Sequence, residues 1–186
     1  MKFSELKGRA VINLEDASKI GEVEDLIVEP DGHHIVSLKV RTGLFHASRL
    51  VPVADVKNVG ADAVTISVDA GPATIPTDTT IQPLSDNAGQ AGVEQHSTSN
   101  GRSEKSQAGP VIEVSSILGN KVVTDAGTLV GTLRDVMVDW VDLTITGYEV
   151  HDGGMFSKAQ DFGDTPDVHY GNKLITIPAQ LLSHPN

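Results

Sequence analysis

The sequence predicts an all-β protein made of two small antiparallel barrels, and three observations carry that expectation. One pattern occurs twice, as Ile20-Gly21-Glu22-Val23-Glu24-Asp25-Leu26-Ile27-Val28-Glu29 and as Val130-Gly131-Thr132-Leu133-Arg134-Asp135-Val136-Met137-Val138-Asp139. A glycine, an apolar residue two positions later, an aspartate four positions later and a β-branched run fall in register, which marks an internal duplication. Short alternating runs, such as Val36, Leu38 and Val40 against Ser37, Lys39 and Arg41, read as half-buried strands. Between the copies lies a stretch rich in Gly, Ser, Asn and Gln that offers almost nothing to pack.

Taken in order, the first unit spans residues 1–84. Pro30-Asp31-Gly32 between Val28 and Ile35 predicts a hairpin turn, and Val64, Ile66 and Val68 alternate with Thr65, Ser67 and Asp69 as a further strand. Runs this short suit a strongly bent sheet of about five or six strands closed into a barrel. Val23 and Asp25 share one face while Leu26 and Val28 share the other, and Leu133 and Asp135 against Val136 and Val138 repeat the break. A β-bulge beside each aspartate restores a single apolar face, with Gly21 and Gly131 as kink positions. Asp25 and Asp135 are then carboxylates accepting from turn backbone N–H groups, since a buried charge must be hydrogen-bonded.

Residues 85–110 read as a flexible linker, whose root-mean-square span is roughly 25–30 Å. The second unit, 111–186, repeats the landmarks. Leu118-Gly119-Asn120-Lys121-Val122 answers Leu6-Lys7-Gly8-Arg9-Ala10-Val11, Ile145-Thr146-Gly147-Tyr148-Glu149-Val150 answers Ile35-Val36-Ser37-Leu38-Lys39-Val40, and Thr176-Ile177-Pro178-Ala179-Gln180-Leu181-Leu182 is similar to Leu50-Val51-Pro52-Val53-Ala54-Asp55-Val56. On that alignment nothing after Leu182 matches the strand Ala63 to Val68, so the second barrel lacks a C-terminal strand unless Val111-Ile112-Glu113-Val114 or the Thr80-Ile81 region fills the gap. An edge left open is covered or used for pairing; internal covering is expected. Residues 151–172 form a long polar loop.

Leu6 and Gly8, the Ile20-Gly21-x-Val23-x-Asp25 stretch, Val36-x-Leu38-x-Val40, Leu50-Val51-Pro52 with Asp55-Val56, and Ala63-Val64-Thr65-Ile66 together resemble the PRC-barrel family. That is the small β-barrel of the photosynthetic reaction-centre H subunit and of a ribosome-maturation factor's C-terminal half. Residues 3 to 68 carry the likeness well, and about 114 to 182 carry it more loosely. The resemblance implies two PRC-type barrels that dock onto other proteins or assemblies without catalysing a reaction; fold by itself does not imply function.

Composition narrows the function classes. Net charge is −11, with 8 basic and 12 acidic residues in 1–84 and 4 basic and 10 acidic in 111–186. No Lys/Arg cluster offers a phosphate-tracking stripe, so direct nucleic-acid binding is not expected, and an acidic surface is repelled by anionic lipid. Partners with basic surfaces suit it, and each unit is small enough that packing of the halves or homodimerisation would support its core. There are no cysteines, the N-terminus lacks a signal-peptide apolar stretch, and no run approaches the roughly 18 apolar residues of a membrane span. The chain reads as soluble and cytoplasmic.

The chemistry-bearing residues are few. His33-His34 follows a turn with side chains on opposite faces, and reads as a solvated hairpin flank. His151, Asp152, Asp161, Asp164, Asp167 and His169 gather two imidazoles and four carboxylates that could wrap a divalent ion. Their spacing matches no EF-hand loop or HExxH pair, so no metal or other cofactor is expected and a metal- or ligand-responsive loop is the alternative function. Trp140 aligns with Pro30, placing Trp140, Val141 and Leu143 on a hairpin tip beside Asp139 and Asp142. An apolar tip needs something to lie against, and tryptophan is favoured as an interface anchor. No GxSxG, phosphate-binding loop or dinucleotide fingerprint occurs, so an enzyme is not expected. The reading is an adaptor, with the tip residues as apolar anchor and the acidic pair selecting basic partners.

Overall fold

The computed structural model describes residues 1–29, 33–43, 47–68, 111–153 and 159–183. The expected linker 85–110, the Pro30-Asp31-Gly32 turn, the Thr80-Ile81 region and residues 154–158 of the expected loop lie outside the described residues.

A short helix, α1 (Phe3–Leu6), leads into β1 (Ala10–Asn13), β2 (Ser18–Val28), β3 (Ile35–Thr42), β4 (Ala47–Pro52), a 3-10 turn (Val53–Asp55), β5 (Val56–Val59) and β6 (Ala63–Ile66). The second copy repeats the plan with β7 (Ile112–Glu113), α2 (Val114–Ile117), β8 (Lys121–Thr124), β9 (Leu129–Asp139), β10 (Thr144–His151), β11 (Ala159–Gly163), β12 (His169–Tyr170), β13 (Leu174–Ile177) and a closing 3-10 turn (Ala179–Ser183). The strands form two curled half-barrels, in the orders β4-β3-β2-β1-β6-β5 and β11-β10-β9-β8-β13-β12. The all-β class and the two-unit plan therefore hold.

Three details differ from expectation. The barrels are not wholly antiparallel, because β1 runs parallel to β6 and β8 parallel to β13. The second sheet lacks no strand: Leu174–Ile177 pairs with β8 as Ala63–Ile66 pairs with β1. Pro178 therefore does not correspond to Pro52: the alternation Leu174, Ile175, Thr176, Ile177 buries Ile175 and Ile177 as Val64 and Ile66 are buried. Ile112–Glu113 therefore fills no gap in its own sheet and instead adds to the first, pairing with Val28 and Ile27. Finally, residues 151–172 hold two strands. β11 is polar because it lies at a sheet edge, yet its Phe162 opposes Tyr148 and is buried.

The expected bulges are present at equivalent places. Register along β2–β3 slips between Val23 and Asp25, and along β9–β10 between Leu133 and Asp135, so each aspartate turns inward without losing the apolar face. Gly21 and Gly131 do more than permit a kink. A Cβ at Gly21 would stand 2.1 Å from the Arg41 carbonyl oxygen, and one at Gly131 would stand 2.2 Å from that of His151. The neighbouring strand crosses too closely for any side chain, the reason for glycine inside a strand.

The two units are interlocked. The start of each copy leaves its own sheet and lies on the other: Met1 and Val138 exchange backbone bonds (Val138 N–H to Met1 O, 2.8 Å), as Ile112 pairs with Val28. Phe3 and Leu6, one helical turn apart, are fully buried, and their counterparts Val114 and Ile117 are buried as well. At the hairpin ends Ile35 N–H donates to Leu143 O at 2.7 Å and Ile145 N–H donates to His33 O at 2.9 Å. Contacts that reciprocate in this way define a pseudo-two-fold axis, as in an isologous dimer. One continuous apolar core, from Phe3 and Val11 through Leu133 to Ile177, serves both copies, which gives two marginally small units one shared interior.

Candidate functional site

The structure brings chemistry together along the seam between the copies. Asp25 is 2% exposed; its Oδ1 accepts from Leu26 N–H at 2.8 Å and from Ser115 N–H at 3.0 Å, and its Oδ2 accepts from the Ser115 hydroxyl. Asp135 repeats this with Val136 N–H at 2.8 Å, Ser4 N–H at 3.2 Å and the Ser4 hydroxyl. Both carboxylates accept from backbone N–H groups, as expected. The additional donors come from the other copy's helix start, which turns each aspartate into a clasp. Burial pushes the Asp25 carboxyl up, against the opposing pull of the Ser115 and Leu26 bonds.

Two ion pairs flank the clasps. Lys39 on β3 lies 3.0 Å from Glu113 of the second copy's lead-in and 3.8 Å from Glu24. Burial opposes the Lys39 ammonium, and its bonds and charges with Glu113 and Glu24 more than offset this. Across the axis Lys2 pairs with Glu149 on β10. Its hydrogen bond to Glu149 raises Lys2, while Glu149 is held down by Lys2 and then by His151, 2.9 Å away.

His33 departs from expectation. It is 6% exposed rather than solvated, with Nδ1 2.6 and 2.7 Å from the two Asp164 carboxylate oxygens. The Tyr148 hydroxyl donates to Asp164 and shares a bond with the Tyr170 hydroxyl, and the His33 ring lies 5.3 Å from that of Tyr170. Burial first, then neighbouring acidic groups, pushes the Tyr148 phenol far above its usual range; burial also raises Tyr170. Both phenols therefore stay protonated as hydrogen-bond donors. An imidazole with so little solvent contact, held by a carboxylate of the other copy, joins the two sheets. The local sequence around His33 does not disclose this, because its partners lie more than a hundred residues further along the chain; the polar Tyr148 among inward apolar strand positions is the one signal. Its neighbour His34 is exposed and bridges Thr144.

The remaining proposed ligands are dispersed. His151 is on β10 against Glu149, Asp161 is exposed on β11, Asp152 and Asp167 are exposed in connections, and His169 is exposed on β12. Asp164 alone turns inward, to His33. Among the described residues no group of three or more His, Cys, Asp or Glu is arranged to hold a metal ion.

The β9–β10 tip is a turn closed by the side chain of Asp139. Asp139 Oδ1 accepts from Val141 N–H at 2.7 Å and Asp142 N–H at 3.3 Å. Trp140 packs half-buried against the core, and its Nε1–H donates to Met1 Sδ at 2.9 Å. Leu143 is half-buried with φ +55°, Asp142 is exposed, and Val141 is 90% exposed. Among the described residues no helix is long and apolar enough to cross a membrane.

A family model described as PRC-barrel domain matches residues 1–71 and again residues 110–181. No curated protein matches the chain.

Proposed function

The chain belongs to the PRC-barrel domain family, with two copies of the domain, and from that premise we propose that it is a non-catalytic adaptor that holds a partner protein at its β9–β10 tip. The observation that carries the reading is Val141: an aliphatic side chain 90% exposed on a turn that Asp139 holds from below. An apolar group presented on a pre-formed turn loses little conformational freedom when a partner covers it. Trp140 acts as the anchor that fastens the turn to Met1, and the adjacent carboxylates Asp139 and Asp142 favour a partner with a basic rim. The interlocked seam supports the same reading, because it ties the tip to the first copy through the Ile35–Leu143 bond and engages the His33 imidazole and the Asp25 and Asp135 carboxylates in contacts within the chain.

The test is site-specific photocrosslinking in the native host from position 141, with a control probe at Leu174, which is also exposed but on the opposite part of the sheet order. Val141→Asp is the companion variant; at a site so exposed its stability cost is about 0.5 kcal/mol or less. A protein crosslinked from 141 and not from 174, and lost from capture with Val141→Asp, supports the adaptor. Equal crosslinking from both positions, or undiminished capture by a folded Val141→Asp chain, overturns it.

A further inference from the structure

The strand registers put the two copies in one-to-one correspondence, and around the two identical Asp–Ser clasps the flanking residues at the seam are opposite in kind. Gly21 matches Gly131 and Ile35 matches Ile145, so Lys39 on β3 occupies the place of Glu149 on β10. In the lead-ins, Lys2 pairs against Met137 as Glu113 pairs against Ile27. The ion pair Lys39–Glu113 is therefore the charge-reversed image of Glu149–Lys2. Even the bulge residues follow the rule, with Glu24 near Lys39 where the second copy has Arg134.

The His33 cluster obeys the same logic with polarity in place of charge. Tyr148 opposes Phe162 as Leu38 opposes Val51, which makes Asp164 the counterpart of Val53. Tyr170 opposes Ile175 as Val59 opposes Val64. His33 corresponds to Leu143, and both take positive φ, +53° and +55°. The copy that offers a histidine thus has Leu38, Val53 and Val59 where its partner has Tyr148, Asp164 and Tyr170.

We infer that this seam is a heterotypic pairing surface: the first copy selects a repeat of the second kind and rejects another of its own. Were two first copies to meet through it, Lys39 would face Lys2 twice, and each His33 imidazole would be buried against Leu38, Val53 and Val59 without a partner. Were two second copies to meet, Glu149 would face Glu113 twice, and each largely covered Asp164 would lack its imidazole. Like charges and unpaired buried polar groups are the means by which an interface excludes a wrong partner. The chain therefore closes on itself, and an outside occupant of either face is a repeat bearing the complementary signature. This is independent of what the β9–β10 tip binds.

The experiment uses the full chain carrying a protease site within residues 85–110, cut after folding, re-equilibrated at low micromolar concentration and read by native mass spectrometry. In the double variant Lys39→Glu/Glu113→Lys both intramolecular ion pairs keep opposite charges, but the two like-charge contacts of each homotypic pair become attractive. Adding His33→Leu removes the buried imidazole from a pair of first copies and deprives Asp164 of its partner in the mixed pair. The wild type is expected to give mixed pairs in at least about tenfold excess over either homotypic pair. In the triple variant every Asp164 lacks its imidazole in either kind of pair, so the mixed excess is expected to vanish, with homotypic pairs rising to about the statistical half of the population. The double variant, which retains His33 and both ion pairs, is expected to raise the homotypic share about fivefold or more, and carries the test should the triple variant fail to fold. Scrambling of the wild type into homotypic pairs overturns the inference, as does an unchanged, purely mixed population in the folded variants.

Discussion

Replacing Asp25 with alanine tests whether the exchanged helix starts hold the two copies together. The substitution removes the acceptor for Leu26 N–H at 2.8 Å, Ser115 N–H at 3.0 Å and the Ser115 hydroxyl, at a residue 2% exposed. The hydroxyl can rotate to another acceptor or water; the two amides cannot. Each buried donor left without a partner costs about 1–3 kcal/mol, so the two amides together lose about 2–6 kcal/mol. Relief of the carboxylate's burial, which already lifts its pKa, offsets part of that loss. The net expectation is about 2–4 kcal/mol, a large part of the roughly 5–15 kcal/mol that holds a typical domain folded. Urea unfolding of the full chain measures it, with Ser115→Ala and the double variant completing a cycle. A coupling of about 1–2 kcal/mol between residues 25 and 115 is expected for groups sharing hydrogen bonds. A cost below about 0.5 kcal/mol, or additive single effects, refutes the reasoning.

Asp25 also carries a pH signature, read by comparing urea midpoints of wild type and Asp25→Asn. A carboxyl whose folded pKa lies above its ordinary 3.8 binds its proton more readily when folded, so its contribution is full below that value and lost as pH rises through the folded pKa. The wild type should therefore gain on Asp25→Asn as pH is lowered from neutral toward 4, and a trend in the other direction contradicts the burial argument. Gly131→Ala places a Cβ 2.2 Å from the His151 carbonyl oxygen, and separating the strands should cost about 2–4 kcal/mol. Gly21→Ala, at 2.1 Å from Arg41 O, should match it within about 1 kcal/mol; either variant folding with unchanged stability by thermal unfolding refutes the close-crossing account.

What the sequence disclosed was governed by distance along the chain. The duplication, the hairpins, both bulges and the inward aspartates follow from period-two alternation and its phase breaks, all local signals. The assignment of the last strand failed because Pro178 suggested Pro52, whereas side-chain alternation in Leu174 to Ile177 carries no information about which neighbour it pairs with. The clasp residues Ser4 and Ser115 stand at equivalent positions ahead of Gly8 and Gly119, and could have been noticed as a repeated serine. Their crossing to the other copy could not, because nothing in a single repeat says whether its lead-in folds back or across. The His33 joint lay further out of reach: its carboxylate is 131 residues away, among residues that composition alone grouped as a polar loop.

The crossing of the lead-ins also has a consequence in time. As the chain leaves the ribosome, Asp25 and the β2 edge at Ile27 and Val28 are made 90 residues before the serine that clasps the one, and similarly long before the strand that covers the other. At about 5–20 residues per second this interval is roughly 5–18 s, far longer than hairpins and loops take to form. Throughout it the newborn first repeat carries an uncapped buried carboxylate and a bare strand edge, a surface open to a chaperone or to a neighbouring nascent chain. Synthesis order thus makes residues 112–117, and not the end of the first repeat, the point at which this edge is paired and the Asp25 clasp closed.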